Sequence, residues 1–218
     1  MGLRNVFSRT AHNHYAYASS LSQLREIQMK HLNIAIHERE PSPELEATVK
    51  HVMTSSFTGL ELVVDSRETL ASSLSSKLAA SSQTSTIAIQ PLIEDIEMLA
   101  QHFSDICIAQ RLKLYLKTVS NDACRKFHID GYDLRLLCSY AGPGTEWTPN
   151  ENVNRKYVGE GENEQIIKDW GCINQLKAYD VAILKGEPPH KRTGNGIVHR
   201  SPAIELKGEK RLLLRIDC

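Results

Sequence analysis

Between residues 111 and 117 apolar and polar positions alternate without a break. Leu112, Leu114 and Leu116 stand against Arg111, Lys113, Tyr115 and Lys117, the pattern of a half-buried strand. The same period governs Arg211-Leu212-Leu213-Leu214-Arg215-Ile216-Asp217, where Leu212, Leu214 and Ile216 share one face and Arg211, Arg215 and Asp217 the other. Shorter runs bounded by Gly, Pro and Asn predict strands at 32–37, 60–64, 124–130, 134–140, 172–176, 179–184 and 195–200. Helical spacing takes over elsewhere. Leu21, Leu24 and Ile27 predict a short amphipathic helix. Pro43 opens another, running to about Thr54, with Leu45, Val49, Val52 and Met53 as its stripe. Residues 71–86 are rich in Ser and Ala, with Leu70, Leu74 and Leu78 spaced four apart: a loosely packed helix ending in a polar linker over 81–86. Over 91–106, Leu92, Ile96, Leu99 and Phe103 line one side of a third helix, with Pro91 near its start. Residues 1–19 show no period and read as a mobile arm.

A mainly helical part over 20–108 followed by a β part over 109–218 makes an α+β protein, with 20–218 as one domain. The simplest β architecture is a jelly roll, or double-stranded β-helix, cupin-like, with the N-terminal helices packed on one sheet. A chain of 218 residues can bury such a core, and its 41% hydrophobic content is ordinary for a globular protein.

Charge and cysteine usage narrow the partners. Lys+Arg and Asp+Glu are both 26, so no overall basic field argues for nucleic acid or an anionic membrane. No apolar run approaches the roughly 20 residues of a membrane span, and the N-terminus carries no secretory pattern. Five cysteines, at 107, 124, 138, 172 and 218, form no close pair. They read as reduced thiols in a cytoplasmic protein rather than a disulfide framework.

The chemistry concentrates in Cys124-Arg125-Lys126-Phe127-His128-Ile129-Asp130 and in a second histidine, His199. If 124–130 is extended, Cys124, Lys126, His128 and Asp130 fall on one face. Two histidines and a carboxylate then form the open facial set used by non-haem Fe(II) oxygenases. An H-x-D pair also arises as a core histidine hydrogen-bonded to an acid. With Cys124 as a fourth ligand the set becomes a closed tetrahedron, which favours structural zinc; a buried, inert Cys124 is the plainer alternative. The polar face carrying Arg211 and Arg215 suits either a ligand cavity, where a guanidinium makes two-point contacts with a carboxylate, or a solvent-facing edge strand with its leucines buried. Tyr140, Thr145 and Trp147 surround a Gly-Pro turn at a strand end and are candidate pocket residues. Arg135 is another, unless it simply pairs with Asp133 or Glu187.

The order H-x-D, then His, then a basic residue on the next strand resembles the double-stranded β-helix Fe(II)/2-oxoglutarate dioxygenases. That resemblance implies iron on His128, Asp130 and His199, and 2-oxoglutarate as a small-molecule cosubstrate anchored by Arg211. It also implies oxidation, most simply hydroxylation, of a substrate that the sequence does not name. From about residue 30 onward the segments CRKFHID, LRLLCSYAGPGTEW, DVAILKGE, VHRSP and RLLLRID resemble an uncharacterised bacterial family, domain of unknown function 1826. The alternative reading is a zinc-binding or metal-handling protein on a cupin-like scaffold without turnover.

Overall fold

Ten strands and three long helices frame the molecule in the computed structural model, which describes residues 14–64, 67–82, 85–107, 111–122, 124–190 and 193–218. The strands are β1 (Tyr15–Tyr17), β2 (Ile34–His37), β3 (Gly59–Val64), β4 (Leu112–Val119), β5 (Leu134–Ala141), β6 (Glu146–Thr148), β7 (Asn174–Gln175), β8 (Val181–Lys185), β9 (Val198–Arg200) and β10 (Arg211–Asp217). Helices α1 (Pro43–Thr54), α2 (Arg67–Ser82) and α3 (Thr86–Cys107) lie between them. Among the described residues the strands form a seven-stranded sheet, β1-β2-β8-β5-β10-β4-β3, and a three-stranded one, β7-β6-β9. The architecture is mixed α and β around one large sheet.

The helices cover one face of the large sheet. Leu92, Ile96, Leu99 and Phe103 of α3 pack with Leu112, Leu114 and Leu116 of β4, and with Leu212, Leu214 and Ile216 of β10, in one core. The opposite face meets the small sheet. Ile34, Ile36, Leu137, Ala182 and Leu184 there enclose Trp147 from β6. Strands β2, β5 and β8 are therefore buried on both sides, which is why Val181-Ala182-Ile183-Leu184 reads as a continuous apolar run. In β5 the division is clean: Leu136, Cys138 and Tyr140 face the helices, whereas Leu137 faces the small sheet.

A buried ionic knot fastens helix to sheet. Asp95 of α3 accepts two hydrogen bonds from Arg39, at 2.5 and 2.8 Å, and one from the Tyr140 hydroxyl at 2.6 Å. Burial pushes the Tyr140 phenol well above its ordinary pKa.

Several local expectations change. The helix expected from Ser20 is a run of 3-10 turns over Leu21–Gln28. Its apolar residues recur every three positions, the 3-10 period. Residues 1–13 of the expected arm lie outside the described residues, but Tyr15–Tyr17 pair in parallel with β2 instead of hanging free. The polar linker is shorter than expected, because Ser81 and Ser82 finish α2 and Thr86 starts α3; residues 83 and 84 lie outside the described residues. Cys107 and Cys218 form a disulfide, which corrects the reading of five unpaired thiols. Their sequence separation of 111 residues hid the pair; the end of α3 and the end of β10 bring their Cα atoms to 6.5 Å. Among the described residues no helix is long and apolar enough to cross a membrane.

Candidate metal centre

The strand expected over 124–130 does not form. Cys124 has φ +61°, a left-handed conformation that breaks the alternation on which its side-chain direction rested. Asp122 receives the backbone N–H groups of Ile204 and Glu205 at 2.7 and 2.9 Å, and Ser201 N–H donates to the Cys124 carbonyl at 3.1 Å. Asn163 then pins the next turn, accepting from Phe127 N–H at 2.8 Å and donating to the Arg125 carbonyl at 3.1 Å. From this looped approach the chain's backbone pairs with β9, among the described residues, at one position. His128 and His199 exchange both backbone hydrogen bonds, at 3.0 and 3.1 Å, as an isolated antiparallel bridge. Side chains of such a pair leave on the same side. The two imidazoles accordingly lie with centroids 4.6 Å apart.

Asp130 joins them from two residues beyond His128. Its Oδ1 lies 3.5 Å from His128 Nε2 and its Oδ2 3.3 Å from His199 Nε2. One ligand atom from each of the three residues falls within 4.8 Å of the others, a candidate metal-binding triad. Cys124 is exposed and not part of this group, so the four-ligand zinc arrangement lacks its fourth ligand. Gly186 is what lets the loop close here. A Cβ on it would run into the carbonyl oxygens of Asp130 and Tyr132.

Protonation follows from the partners. His128 Nδ1 lies 2.9 Å from the Lys126 carbonyl, and His199 Nδ1 lies 3.2 Å from the Ile197 carbonyl. A carbonyl only accepts, so each Nδ1 carries a proton and each Nε2 is the ring nitrogen turned toward Asp130. Two lone pairs facing a carboxylate repel one another unless a cation sits between them. Burial works against an imidazolium at His128, but the bonds to Asp130 and to the Lys126 carbonyl win, and its pKa is raised. Burial likewise works against an ionised Asp130, yet the two histidines and Arg135 hold its pKa well below the usual carboxylate range. Asp130 Oδ2 is buried and accepts no hydrogen bond of good geometry. Two imidazoles and one carboxylate, with one ligand atom of each within 4.8 Å of the others, are the donor types a divalent transition ion takes.

Arg211 occupies the same interlayer space. It is completely buried, and its Nη2 donates to Ser139 Oγ at 3.0 Å and Thr145 Oγ1 at 3.3 Å. Nε and Nη1 have no partner. Desolvation pulls the guanidinium down to about 10, only partly opposed by Glu146. Thr145 stands two residues before Trp147, which pairs across the small sheet with His199. Arg211 and the triad thus flank one stretch of β6. Gly142, at φ +74°, lets the backbone of 142 lie against Arg211, where a Cβ would meet the Lys210 carbonyl.

The remaining candidates part ways. Arg215 stacks on Tyr115, 3.9 Å from the ring centroid, and its Nε lies 3.3 Å from Asp217. Tyr140 faces the helices and bonds Asp95, so it does not line the site. Trp147 is buried between the sheets and packs against Tyr15. Arg135 binds Asp130 and Asp217 rather than Asp133 or Glu187. Sequence reasoning missed Ser139 and the role of Asp217. Polar residues at inward positions of otherwise apolar strands were the signal that marks both.

The chain belongs to the DUF1826 family: the family model, described as a protein of unknown function, matches residues 18–217. A comparison with curated proteins finds no match. Among solved structures it is similar to the dioxygenase for auxin oxidation 1 from Arabidopsis thaliana in complex with 2-oxoglutarate. That match has 10% identity and a TM-score of 0.49, over 93% of this chain and 91% of that one. It is similar also to the Fe(II)/α-ketoglutarate-dependent dioxygenase TqaL, at 11% identity and TM-score 0.43, over 81% and 75%. A prolyl-4-hydroxylase from Pseudomonas putida matches at 10% identity and TM-score 0.34, over 79% and 97%.

Proposed function

We propose that this protein is an Fe(II)- and 2-oxoglutarate-dependent oxygenase, built on a double-stranded β-helix whose two facing sheets enclose the site. His128, Asp130 and His199 hold the ion through two imidazole Nε2 atoms and one carboxylate, leaving positions open for exogenous ligands. Bound iron with 2-oxoglutarate and O2 supplies the oxidant for hydroxylating a substrate C–H bond. The protein's own part is to position and to exclude water. The carbonyls of Lys126 and Ile197 fix the metal-binding tautomers of both histidines.

Arg211 carries the proposal. A fully buried guanidinium with two unsatisfied donors is costly to maintain unless an anion completes it. A dicarboxylate with one end on the ion and the other on Arg211 supplies that anion by a charge-assisted contact. Ser139 and Thr145 hold the guanidinium ready while the site is empty of diacid.

Titration calorimetry of 2-oxoglutarate into Fe(II)-loaded, oxygen-free protein tests this. The expected result is one-site binding, with a weak visible charge-transfer band appearing on saturation. Absence of 2-oxoglutarate binding by the iron-loaded wild type overturns the oxygenase reading, whatever the metal affinity.

A further inference from the structure

The two oxygens of Asp130 have unequal surroundings. Oδ1 is held by Arg135 Nη1 at 2.5 Å, whereas Oδ2 accepts no hydrogen bond and faces His199. Arg135 is itself gripped from behind. Its Nε and Nη2 donate to the two oxygens of Asp217 on β10, at 2.5 and 3.1 Å, and its guanidinium lies 4.8 Å from the centre of the Tyr132 ring. Arg135 and Asp217 are cross-strand partners in the β5–β10 register, so the clamp is part of the sheet and not of a loop. Asp130, by contrast, sits on a loop whose backbone pairing with the small sheet, among the described residues, is a single bridge. All three residues are buried, none more than 9% exposed.

We infer that Arg135 is a positioning residue that fixes how Asp130 ligates the ion. Through the sheet-anchored guanidinium it occupies Oδ1 and presents Oδ2 alone, so the carboxylate binds through one oxygen. The inference rests on His128, Asp130 and His199 being metal ligands. A carboxylate free to rotate can chelate with both oxygens and fill a position that the cosubstrate or O2 needs. Asp217 supplies the rigidity: without it Arg135 would be one more flexible side chain. Replacing Arg135 alone leaves buried Asp217 with only the longer contact to Arg215, so paired replacement is the cleaner probe.

The test uses Co(II) as the ion, on the full chain, with Arg135→Gln and the paired Arg135→Gln/Asp217→Asn, which removes a charge of each sign together. Both variants should bind Co(II) about 10–100-fold more weakly than wild type, the usual cost of losing a group that orients a metal ligand. At saturation their visible absorption should weaken and shift, because the released Oδ1 adds a donor and raises the coordination number. If one variant fails to fold, the other carries the measurement. Wild-type affinity in a folded variant overturns the inference. So does an unchanged spectrum at saturation when affinity and melting temperature fall together, since that is the behaviour of a merely structural ion pair. Failure of the wild type to bind Co(II), Fe(II) or Zn(II) would remove the metal centre itself. Normal wild-type binding with unaffected variants removes only the role of Arg135.

Discussion

Arg211 shows how far one residue can be read. Its place at the start of an alternating strand marks it as an inward cation, and burial with two unpartnered donors gives that position a chemical purpose. Arg211→Ala should weaken 2-oxoglutarate binding by one to several orders of magnitude. Breaking one side of a buried charge pair costs roughly 2–5 kcal/mol, and each tenfold is about 1.4 kcal/mol. Arg215→Ala should do much less, because that guanidinium is spent on Tyr115 and Asp217. Arg211→Met makes a complementary prediction. Without cosubstrate it should leave the fold equally stable or more so, by up to about 3 kcal/mol, since it removes buried donors that nothing satisfies. A denaturant titration checks that sign. Cysteine reactivity gives a test with a pH dependence. Burial raises the Cys138 thiol to about 12, while Cys124 and Cys172 are exposed. The thiolate is the reactive form. Unreduced protein at pH 8 should therefore alkylate first at Cys124, then at Cys172, whose thiol donates to Asp169 and is raised by it, with Cys107 and Cys218 recovered as one disulfide-linked peptide pair by mass spectrometry. Rapid alkylation of Cys138 would contradict its packing.

At the scale of elements the decisive contact is between α3 and the large sheet. Asp95 gathers the mostly buried Arg39 guanidinium and the fully buried Tyr140 hydroxyl. Asp95→Ala strands a buried guanidinium and should cost about 3–5 kcal/mol of stability. In a domain of this size that lowers the melting temperature by roughly 2–4 °C per kcal/mol. A fall of less than a degree in a calorimetric scan would show that the knot is not holding the helix. Helix α1 illustrates the opposite case, where local signals suffice. Pro43 opens it, Ser42 Oγ accepts from Leu45 N–H at 3.2 Å, and its observed ends are those its sequence predicts. The 124–130 segment fails in the same terms. Its residues alternate as a strand's do, but the left-handed turn at Cys124 and the caps from Asp122 and Asn163 absorb its backbone groups before a ladder can form.

Over the whole molecule, the proposed metal site is held in place by the protein's own contacts. Asp130 is already held by Arg135, and both histidines are already oriented by backbone carbonyls. Chelator treatment should therefore change the unfolding free energy little, in contrast to a structural metal whose binding energy is folding energy. A drop of many degrees in melting temperature on metal removal would count against an open catalytic centre. Period-two and helical spacing were enough, from the sequence by itself, to determine which residues of β4 and β10 share a face, where α1 runs, and which residue types carry the chemistry. Those are local properties, written at intervals of two to four residues. Pairing over long separations was decided only by the tertiary structure. Register and packing chose the His128–His199 bridge, the Arg135–Asp217 clamp, the Cys107–Cys218 link and the turning of Tyr140 toward Asp95. The same holds for the exclusion of Cys124. One backbone angle of the wrong sign redirects a side chain that alternation had aimed at the site, and that angle is set by what the loop bonds to across the fold.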